Sequence, residues 1–276
     1  MPPRKPARSP IVILTDFGYR DHYAGVMKGV IAKIAPDASV IDLTHGIPPQ
    51  SVTAGALALA QSQEYFPARS VFLAVVDPGV GTSRDAIALE TRTGARFVGP
   101  DNGLLSLAAT AGEIKRAVRL TSTRYRLPNL SPTFHGRDVF APAAAHIWNG
   151  VPLTALGPEL KSWHQLELPR PVESDSRLSG EVIYVDTYGN LVTNLDRETV
   201  ARFAACFPTQ KVSVRINRGA AIRIIDSYAL APKGAPLAIF GSFNLLEIAL
   251  RDGNAAQHFD AKPGAGVILA VSARRK

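Results

Sequence analysis

Two aspartates and one histidine occupy positions where their side chains can act on a ligand. Asp16 and Asp77 each follow a short apolar run and precede a turn that contains glycine, while His135 lies in the polar loop TFHGRD at residues 133–138. Carboxylates accept hydrogen bonds from hydroxyl groups and water, and imidazole exchanges protons near neutral pH. Ligands of open α/β sheets bind beyond the carboxyl ends of the strands, so the two aspartates predict a site at such an edge.

The same residues also have interpretations that involve no ligand. Asp16 and Asp77 are of the residue type that stabilises turns through its own backbone. A loop histidine such as His135 is often a surface or helix-capping residue, and Asp138 is placed to cap the helix that follows it. The residue types leave both interpretations open.

A metal site is a further alternative. Asp16, Asp21 and His22, together with the loop at 133–138, offer ligands that hard metal ions accept, which would indicate a metal-dependent phosphohydrolase. The chain has no His-Glu-x-x-His pattern, and its single cysteine, Cys206, excludes a cysteine-based zinc site. The dinucleotide-binding glycine pattern and the Gly-Lys-Ser/Thr phosphate loop are also absent, so neither NAD nor ATP is expected as a cofactor.

Strands that alternate with helices must position these side chains. Apolar runs begin at Ile11, Ser39, Val71 and Phe97, and helical patterns follow them up to Ile34, over 51–65 and over 139–148. This alternation predicts an α/β domain over residues 10–165, with three layers and a mostly parallel sheet.

The chain changes character after this domain. Proline and glycine are frequent between Gly150 and Pro171, which predicts a linker. The segments 180–187 and 191–195 then flank a Tyr-Gly-Asn turn in a hairpin pattern, and short strands are expected at 212–217, 221–225, 236–241 and 266–273. Residues 178–274 are therefore predicted to form a mostly β domain, a small barrel or sandwich.

The net charge of +8 is concentrated at the two ends of the chain. Six cations stand there, Arg4, Lys5, Arg8, Arg274, Arg275 and Lys276. The rest of the chain is nearly balanced, so no nucleic-acid partner is expected. No apolar run approaches the ~20 residues of a membrane span, and the N-terminus lacks the apolar segment of a secretory signal. A cytoplasmic location away from membranes is expected.

Seven short motifs occur in a fixed order along the chain, TDFG, DHYAG, VVDPGVGT, GPDNG, TFHGRD, DTYGN and GNAA. Together they resemble the S-adenosyl-L-methionine (SAM) hydrolases, also called SAM hydroxide adenosyltransferases, which are related to the fluorinase and chlorinase enzymes. The resemblance extends from about Ile11 to Val271. It implies a metal-independent hydrolysis of SAM to adenosine and L-methionine, with no cofactor. It also implies a C-terminal antiparallel β-barrel and a homotrimer with active sites at subunit interfaces.

The resemblance implies that Asp77, Arg84 and His135 are the catalytic residues that handle water. This set distinguishes the hydrolases from the halogenases, which also carry an added loop that is missing here, where residues 66–71 run straight into the next strand. Bulk water has a pKa of ~15.7 and must be oriented and stabilised as it attacks. Asp77 and His135 are both candidate proton acceptors, and Arg84 is their electrostatic partner; Arg84 also fits a solvated loop charge.

The resemblance also implies a set of substrate-binding residues. They are Asp16 for the ribose diol, Asp21, His22 and Tyr23 beside the methionine portion, Asp186 for its ammonium group, Ser242 and Phe243 at its carboxylate, and Tyr188, Asn190, Glu247, Asn254 and Ala255 around adenine. Phe243 departs from the halogenases, which place arginine there, and phenylalanine cannot pair with a carboxylate. Glu247 also fits an exposed helix residue. A non-catalytic module that binds SAM or a nucleoside is the remaining alternative.

Overall fold

The computed structural model describes residues 9–208, 210, 212–217 and 219–271, and the chain divides into two compact units at Leu166 and Glu167. The basic chain ends, residues 272–273 of the last predicted strand and residues 272–274 of the second predicted domain lie outside the described residues. Among the described residues, no helix combines the length and the apolar character that a membrane crossing requires.

A six-stranded sheet forms the centre of the first unit. Its strands are β1 (Ile11–Thr15), β2 (Val40–Thr44), β3 (Val71–Val75), β4 (Ala86–Thr91), β5 (Arg96–Pro100) and β6 (Ile114–Arg119), and the spatial order is β2-β1-β3-β5-β4-β6. The pairs β1–β2, β1–β3 and β3–β5 are parallel, whereas β4 pairs antiparallel with both β5 and β6. The prediction of a mostly parallel sheet is confirmed.

Helices cover both faces of this sheet. They are α1 (Tyr23–Ile34), α2 (Val52–Ser62), α3 (Ala141–Trp148) and the short α4 (Leu153–Leu156). Ile13 and Leu73 point to one face and share a buried cluster with Met27 of α1 and Ala144 of α3. On the opposite face Gly55 of α2 lies so close to the sheet that an added Cβ would be 3.1 Å from Val76. The predicted three layers are therefore confirmed.

A π-helical turn precedes α3. It spans Gly136–Phe140, and the N–H of Ala141 donates to the carbonyl of Gly136, five residues earlier. His135 stands immediately before this turn and makes no side-chain capping bond. The turn thus sets the direction of the residues that precede it, including His135, relative to α3.

The second unit is an antiparallel barrel. Its strands are β7 (Val172–Ser174), β8 (Arg177–Val185), β9 (Leu191–Asp196), β10 (Val212–Ile216), β11 (Pro236–Phe240), β12 (Leu245–Leu250) and β13 (Gly266–Val271), in the order β10-β13-β8-β9-β12-β11 with β7 on β8. Ile222 forms a bridge to Val214 of β10, and Ile224 forms a bridge to Ala238 of β11. Because β10 and β11 are the first and last strands of this order, the two bridges close the barrel. The strand predicted at 221–225 is observed as these two bridges.

Two helices complete the second unit, α5 (Arg197–Ala205) and α6 (Ala255–His258). Asp196 immediately precedes α5, and its Oδ1 accepts a hydrogen bond from the Thr199 N–H at 2.8 Å. This is an N-cap, which satisfies one of the free donors at the start of a helix. The sequence did not predict the helices α4, α5 and α6 or the strands β4, β6, β7 and β12, and α4 lies within the segment that was predicted to be a linker.

Candidate active site

Asp77 lies just beyond β3, and the turn that follows it returns Arg84 to its side. Two hydrogen bonds, Val80 N–H to the Asp77 carbonyl at 3.2 Å and Thr82 N–H to the Gly79 carbonyl at 3.1 Å, close successive turns. Gly81 lies at φ +78°, where an added Cβ would be 2.5 Å from the carbonyl oxygen of Pro132. Glycine is therefore required at this point, because other residues rarely adopt such a φ and none has space here.

The three predicted catalytic side chains form one hydrogen-bonded cluster. The Nε of Arg84 donates to Asp77 Oδ1 at 2.9 Å, and its Nη2 donates both to Asp77 Oδ2 and, at 2.8 Å, to His135 Nδ1. The exposed fraction of the side chain is 5% for Asp77 and 10% for Arg84. The Arg84 guanidinium also lies over the Phe140 ring, 5.3 Å from its centroid. Arg84 is therefore not the solvated loop charge that its sequence position also allowed.

The contact with Arg84 determines which ring nitrogen of His135 carries hydrogen. Arginine only donates, so Nδ1 must be an unprotonated acceptor, and a neutral ring then carries its hydrogen on Nε2. Burial lowers the pKa of His135, the charge of Arg84 lowers it further, and Asp77 and Asp138 oppose both effects. The neutral form with Nε2–H, a hydrogen-bond donor, is therefore favoured.

Asp77 and His135 line one wall of a cavity of about 320 Å³ in the first unit. Asp16, Phe17, Gln50 and Phe134 are also part of its lining. Because β1 and β3 are adjacent and parallel, with Thr15 opposite Val75, Asp16 and Asp77 follow neighbouring strand ends. The cavity thus occupies the sheet edge at which the two aspartates predicted a ligand site.

The Asp16 carboxylate contacts a second loop and has further acceptor positions. Its Oδ2 accepts a hydrogen bond from the backbone N–H of Gln50 at 2.7 Å, which ties two loops together. A carboxylate offers about four acceptor positions, so Asp16 keeps the capacity to accept from a ligand. The bond from Gln50 joins two loops 34 residues apart, so it is not the bond of a residue that stabilises its own turn.

Aromatic rings border this cavity. Tyr23 lies 5.3 Å from Phe134 and 5.8 Å from Phe17, measured between ring centroids, and His22 stacks on Tyr23 at 4.8 Å. Asp21, His22 and Tyr23 are all exposed at the start of α1. The rings of residues 22 and 23 therefore continue the apolar rim that Phe17 and Phe134 begin.

The residues of the metal interpretation do not gather into a ligand set. Among the described residues, no group of three or more His, Cys, Asp or Glu side chains is arranged to hold an ion. Asp138 is fully buried and accepts hydrogen bonds from Arg137 Nε at 2.6 Å and from the Ser131 N–H at 2.7 Å. Burial alone would raise the pKa of Asp138, but these bonds and the positive charge of Arg137 together outweigh it, and the pKa is lowered. The role of Asp138 is to fasten the loop that carries His135.

A second cavity, of about 710 Å³, lies in the second unit and contains Asp186, Tyr188 and Asn190. Asp186 Oδ1 accepts from the N–H groups of Tyr188 at 2.9 Å and Asn190 at 2.8 Å, and its Oδ2 accepts from Asn190 Nδ2 at 2.9 Å. These bonds hold the Asp186 side chain in one orientation. Tyr188 is 79% exposed and presents an open ring.

Glu247 lies on strand β12, not on a helix, which corrects the alternative interpretation of this residue. Its Oε2 accepts a hydrogen bond from the hydroxyl of Tyr228 at 3.3 Å. Burial, followed by the nearby charge of Glu247, raises the pKa of Tyr228 to about 12. Burial also raises the pKa of Glu247, and the hydrogen bond from Tyr228 only partly opposes this. Tyr228 lines the second cavity and was missed, since no sequence motif marks it.

The other predicted residues of the second unit lie on two turns. Ser242 and Phe243 are exposed at the tip of the β11–β12 hairpin. Asn254 begins α6, and its Oδ1 accepts from the Gln257 N–H at 2.8 Å, while Ala255 is fully buried. An added Cβ on Gly189 would overlap the side-chain amide of Asn254, so the DTYGN turn packs directly on this residue.

Comparisons with known proteins place both units in one family. Residues 11–157 match the family described as "SAM hydroxide adenosyltransferase N-terminal domain", and residues 180–268 match the corresponding C-terminal domain. A protein from Thermus thermophilus named (R)-S-adenosyl-L-methionine hydrolase is 41% identical over 275 residues, which cover 94% of this chain and 99% of that protein.

Two further relatives extend the comparison. The crystal structure of an uncharacterized conserved protein from Thermotoga maritima superposes with a TM-score of 0.86 at 37% identity, covering 94% of this chain and 99% of its own. A fluorinase from an Actinoplanes species is more distant, at 25% identity over 226 residues, 72% of this chain and 76% of that protein. Since the two family matches span most of its length, the chain belongs to the SAM hydroxide adenosyltransferase family, which has fluorinases among its relatives.

Proposed function

We propose that this protein hydrolyses S-adenosyl-L-methionine to adenosine and L-methionine by attack of water on C5′ of the ribose. The observation that carries the proposal is the cluster in which Arg84 joins Asp77 and His135 at the wall of the first cavity. Family membership and the hydrolase name of the Thermus relative support it.

The sulfonium of SAM makes methionine a neutral leaving group, so the nucleophile is the difficult part of the reaction. As the O–C5′ bond forms, the S–C5′ bond breaks and its electron pair returns to sulfur. The attacking water must lose one proton. Because His135 Nδ1 is occupied by Arg84 and Nε2 carries hydrogen, His135 donates to the water oxygen and Asp77 accepts the proton. Arg84 holds both groups in place and offsets negative charge near the oxygen.

The binding residues divide the substrate between the two cavities. In the first cavity, Asp16 accepts hydrogen bonds from the ribose diol, and Asp21, His22 and Tyr23 border the methionine chain. In the second cavity, Asp186 pairs with the methionine ammonium, while Asn190, with the flat ring of Tyr188, takes the adenine.

The remaining contacts come from the two turns of the second unit. Glu247, Asn254 and the backbone of Ala255 complete the adenine contacts. Ser242 binds the methionine carboxylate with one hydroxyl and no cation, because Phe243 supplies none.

The finer proposals concern assembly, cofactors and location. We propose a cytoplasmic homotrimer in which each active site combines the first cavity of one subunit with the second cavity of a neighbour. We also propose that no metal or other cofactor takes part. The trimer and the lack of a cofactor rest on the family resemblance, whereas the location rests on the single cysteine, which rules out an internal disulfide. All three are open to direct measurement.

The test is to incubate the purified protein with SAM in ¹⁸O-labelled water with a chelator present, and to identify the products by mass spectrometry. Adenosine that carries the heavy oxygen, formed together with methionine, is the expected result. SAM that survives in bound form would instead identify a binding module. Activity that the chelator abolishes would favour the metal-dependent alternative, and a protein that neither binds nor consumes SAM would overturn the proposal.

A further inference from the structure

A chain of four polar side chains, buried at one end, begins beside Asp16 and has no part in the reaction just described. Thr15 and His45 are both completely buried, and Thr15 Oγ1 lies 2.8 Å from His45 Nδ1. His45 Nε2 lies 3.2 Å from Asp42 Oδ1, and Asp42 Oδ2 accepts from Lys28 Nζ at 2.6 Å. Asp42 and Lys28 are partly exposed, at 27% and 38% of their side chains, so the polar chain runs from the buried Thr15 and His45 toward the surface. Buried polar groups such as Thr15 and His45 are costly unless they have hydrogen-bond partners.

The tautomer of His45 follows from its two neighbours. The carboxylate of Asp42 beside Nε2 favours hydrogen on that nitrogen, although the contact is not well aligned as a hydrogen bond. Nδ1 is then the acceptor for the Thr15 hydroxyl. The same hydroxyl oxygen accepts from the Phe17 N–H at 3.2 Å, so Thr15 is fully engaged and is inaccessible as a nucleophile.

His45 also belongs to the loop that holds Asp16. Its backbone carbonyl accepts from the Gly18 N–H at 2.7 Å, and five residues later the Gln50 N–H donates to Asp16 Oδ2 at 2.7 Å. The Tyr19 ring meets the His45 ring edge-on at 5.1 Å. Three hydrogen bonds therefore join residues 45–50 to residues 15–18. His45 bonds the Thr15 side chain before Asp16 and the Gly18 N–H after it, and Gln50 bonds Asp16 itself.

We propose that Thr15, whose hydroxyl is held by His45 and accepts from the N–H of Phe17, is a positioning residue that fixes the Asp16 carboxylate for the ribose diol. The proposal rests on the proposed function, since it takes Asp16 as the residue that binds ribose. Hydrogen bonds from the ribose diol to Asp16 are present both before and during the reaction, so weakening them raises KM with little change in kcat. Losing the Thr15 hydroxyl should thus affect KM more than kcat.

The experiment compares Thr15→Val with Thr15→Ser. Thr15→Val keeps the side-chain shape and removes the hydroxyl, so we expect a rise of about tenfold in the KM for SAM, with a smaller change in kcat. Thr15→Ser keeps the hydroxyl and should restore the wild-type KM. Thr91→Val is the matched control, because Thr91 is a buried threonine whose hydroxyl is also hydrogen-bonded, at the far end of β4.

A double-mutant cycle with Asp16→Asn shows whether the effect passes through Asp16. If it does, Thr15→Val adds little to the loss in the Asp16→Asn background, whereas independent sites give additive losses. A wild-type KM in Thr15→Val, or full additivity in the cycle, would overturn the inference. If Thr15→Val does not fold, Asp42→Ala, at a partly exposed site, takes its place with the same expected rise in KM. Wild-type protein without SAM hydrolysis or adenosine binding would instead overturn the proposed function.

Discussion

At the scale of single residues, Arg84 decides how the candidate site works. It holds Asp77 through two nitrogens and His135 through one of them, and only a planar fork has donors at the necessary angles. Lysine would keep the charge but not this geometry. The site therefore depends on the shape of the guanidinium as well as on its charge.

We expect Arg84→Lys to lower kcat for SAM hydrolysis by about 10²–10³-fold, a size typical for the loss of one oriented donor. Adenosine binding, measured by calorimetry, should remain. Arg119→Lys is the control, because Arg119 donates to Asp85 at 2.8 Å on a more exposed surface. Wild-type kcat in Arg84→Lys would contradict the role given to Arg84.

Asp77→Ala and His135→Ala address the two groups that Arg84 joins. We expect both variants to lose hydrolysis, because the first removes the proposed proton acceptor and the second removes the proposed Nε2–H donor. Both should still bind adenosine, since Asp16 is unchanged. Product analysis and calorimetry measure the two properties separately, and near-normal turnover in both variants would remove the proposed mechanism.

The pH dependence of the reaction should report on His135. Its pKa lies below the ordinary 6.5, chiefly because of burial and then of Arg84. kcat/KM should thus stay level from neutral pH to below 6.5 and fall only when His135 becomes protonated and can no longer accept from Arg84. His146, whose pKa burial also lowers, provides the control His146→Gln, which should keep the same profile. An acid limb centred above pH 6.5 would contradict this assignment.

The lowered pKa of His135 also makes the free energy of unfolding depend on pH. Below pH 6.5 the unfolded chain binds a proton at position 135 more readily than the folded chain does. The contribution of His135 to the free energy of unfolding therefore increases with pH through this window and is complete above 6.5.

At the scale of elements, the turn between β3 and β4 sets the geometry of the candidate site. Gly81→Ala should destabilise the fold and reduce activity, because the backbone is at φ +78° and the methyl group would meet the Pro132 carbonyl. Gly29→Ala is the control, since Gly29 lies within α1 with no atom near its Cβ position. It should raise the free energy of unfolding by about 0.5–1 kcal/mol, the helix propensity difference. Urea denaturation measures both changes, and equal stability of Gly81→Ala and wild type would contradict the constraint.

Elements also show which parts of the structure the sequence could predict. Asp16 and Asp77 were identified because β1 and β3 are short, apolar and parallel, so that residues after them share one edge. The sequence does not predict the contact between Arg84 and Asp77, because two residues seven positions apart in a loop have no fixed spatial relation. Only the successive turns after Asp77 bring the two side chains together.

Strand β12 and the contacts of His45 were not predicted, because both depend on residues distant in the sequence. The sequence LLEIAL of β12 consists of good helix formers, yet pairing with β9 and β11 on either side makes it a strand. The chain from His45 to Asp42 was equally hidden. His45 ends a predicted strand, but nothing local to it indicates that it contacts Thr15, thirty residues earlier.

At the scale of the whole molecule, the proposed trimer makes a distinct prediction. If each site takes Asp77 from one subunit and Asp186 from another, inactive Asp77→Ala and Asp186→Asn chains should complement each other. Random mixing in equal amounts leaves about a quarter of the sites with both residues intact. Co-expressing the two variants and measuring specific activity tests this. Light scattering should give the mass of a trimer, and a lack of complementation in mixed trimers would place both residues of a site in the same subunit.

The π-helical turn before α3 has a further consequence, which concerns insertions and deletions. Such a turn contains one residue more than the same stretch of α-helix. Deleting one residue from 136–140 would restore the ordinary helical period and rotate everything before it by about 100° around the helix axis. His135 would then leave Arg84, although no side chain of the cluster had changed. In the history of such a chain, the loss or gain of a single codon here would switch the imidazole out of or into the site in one step.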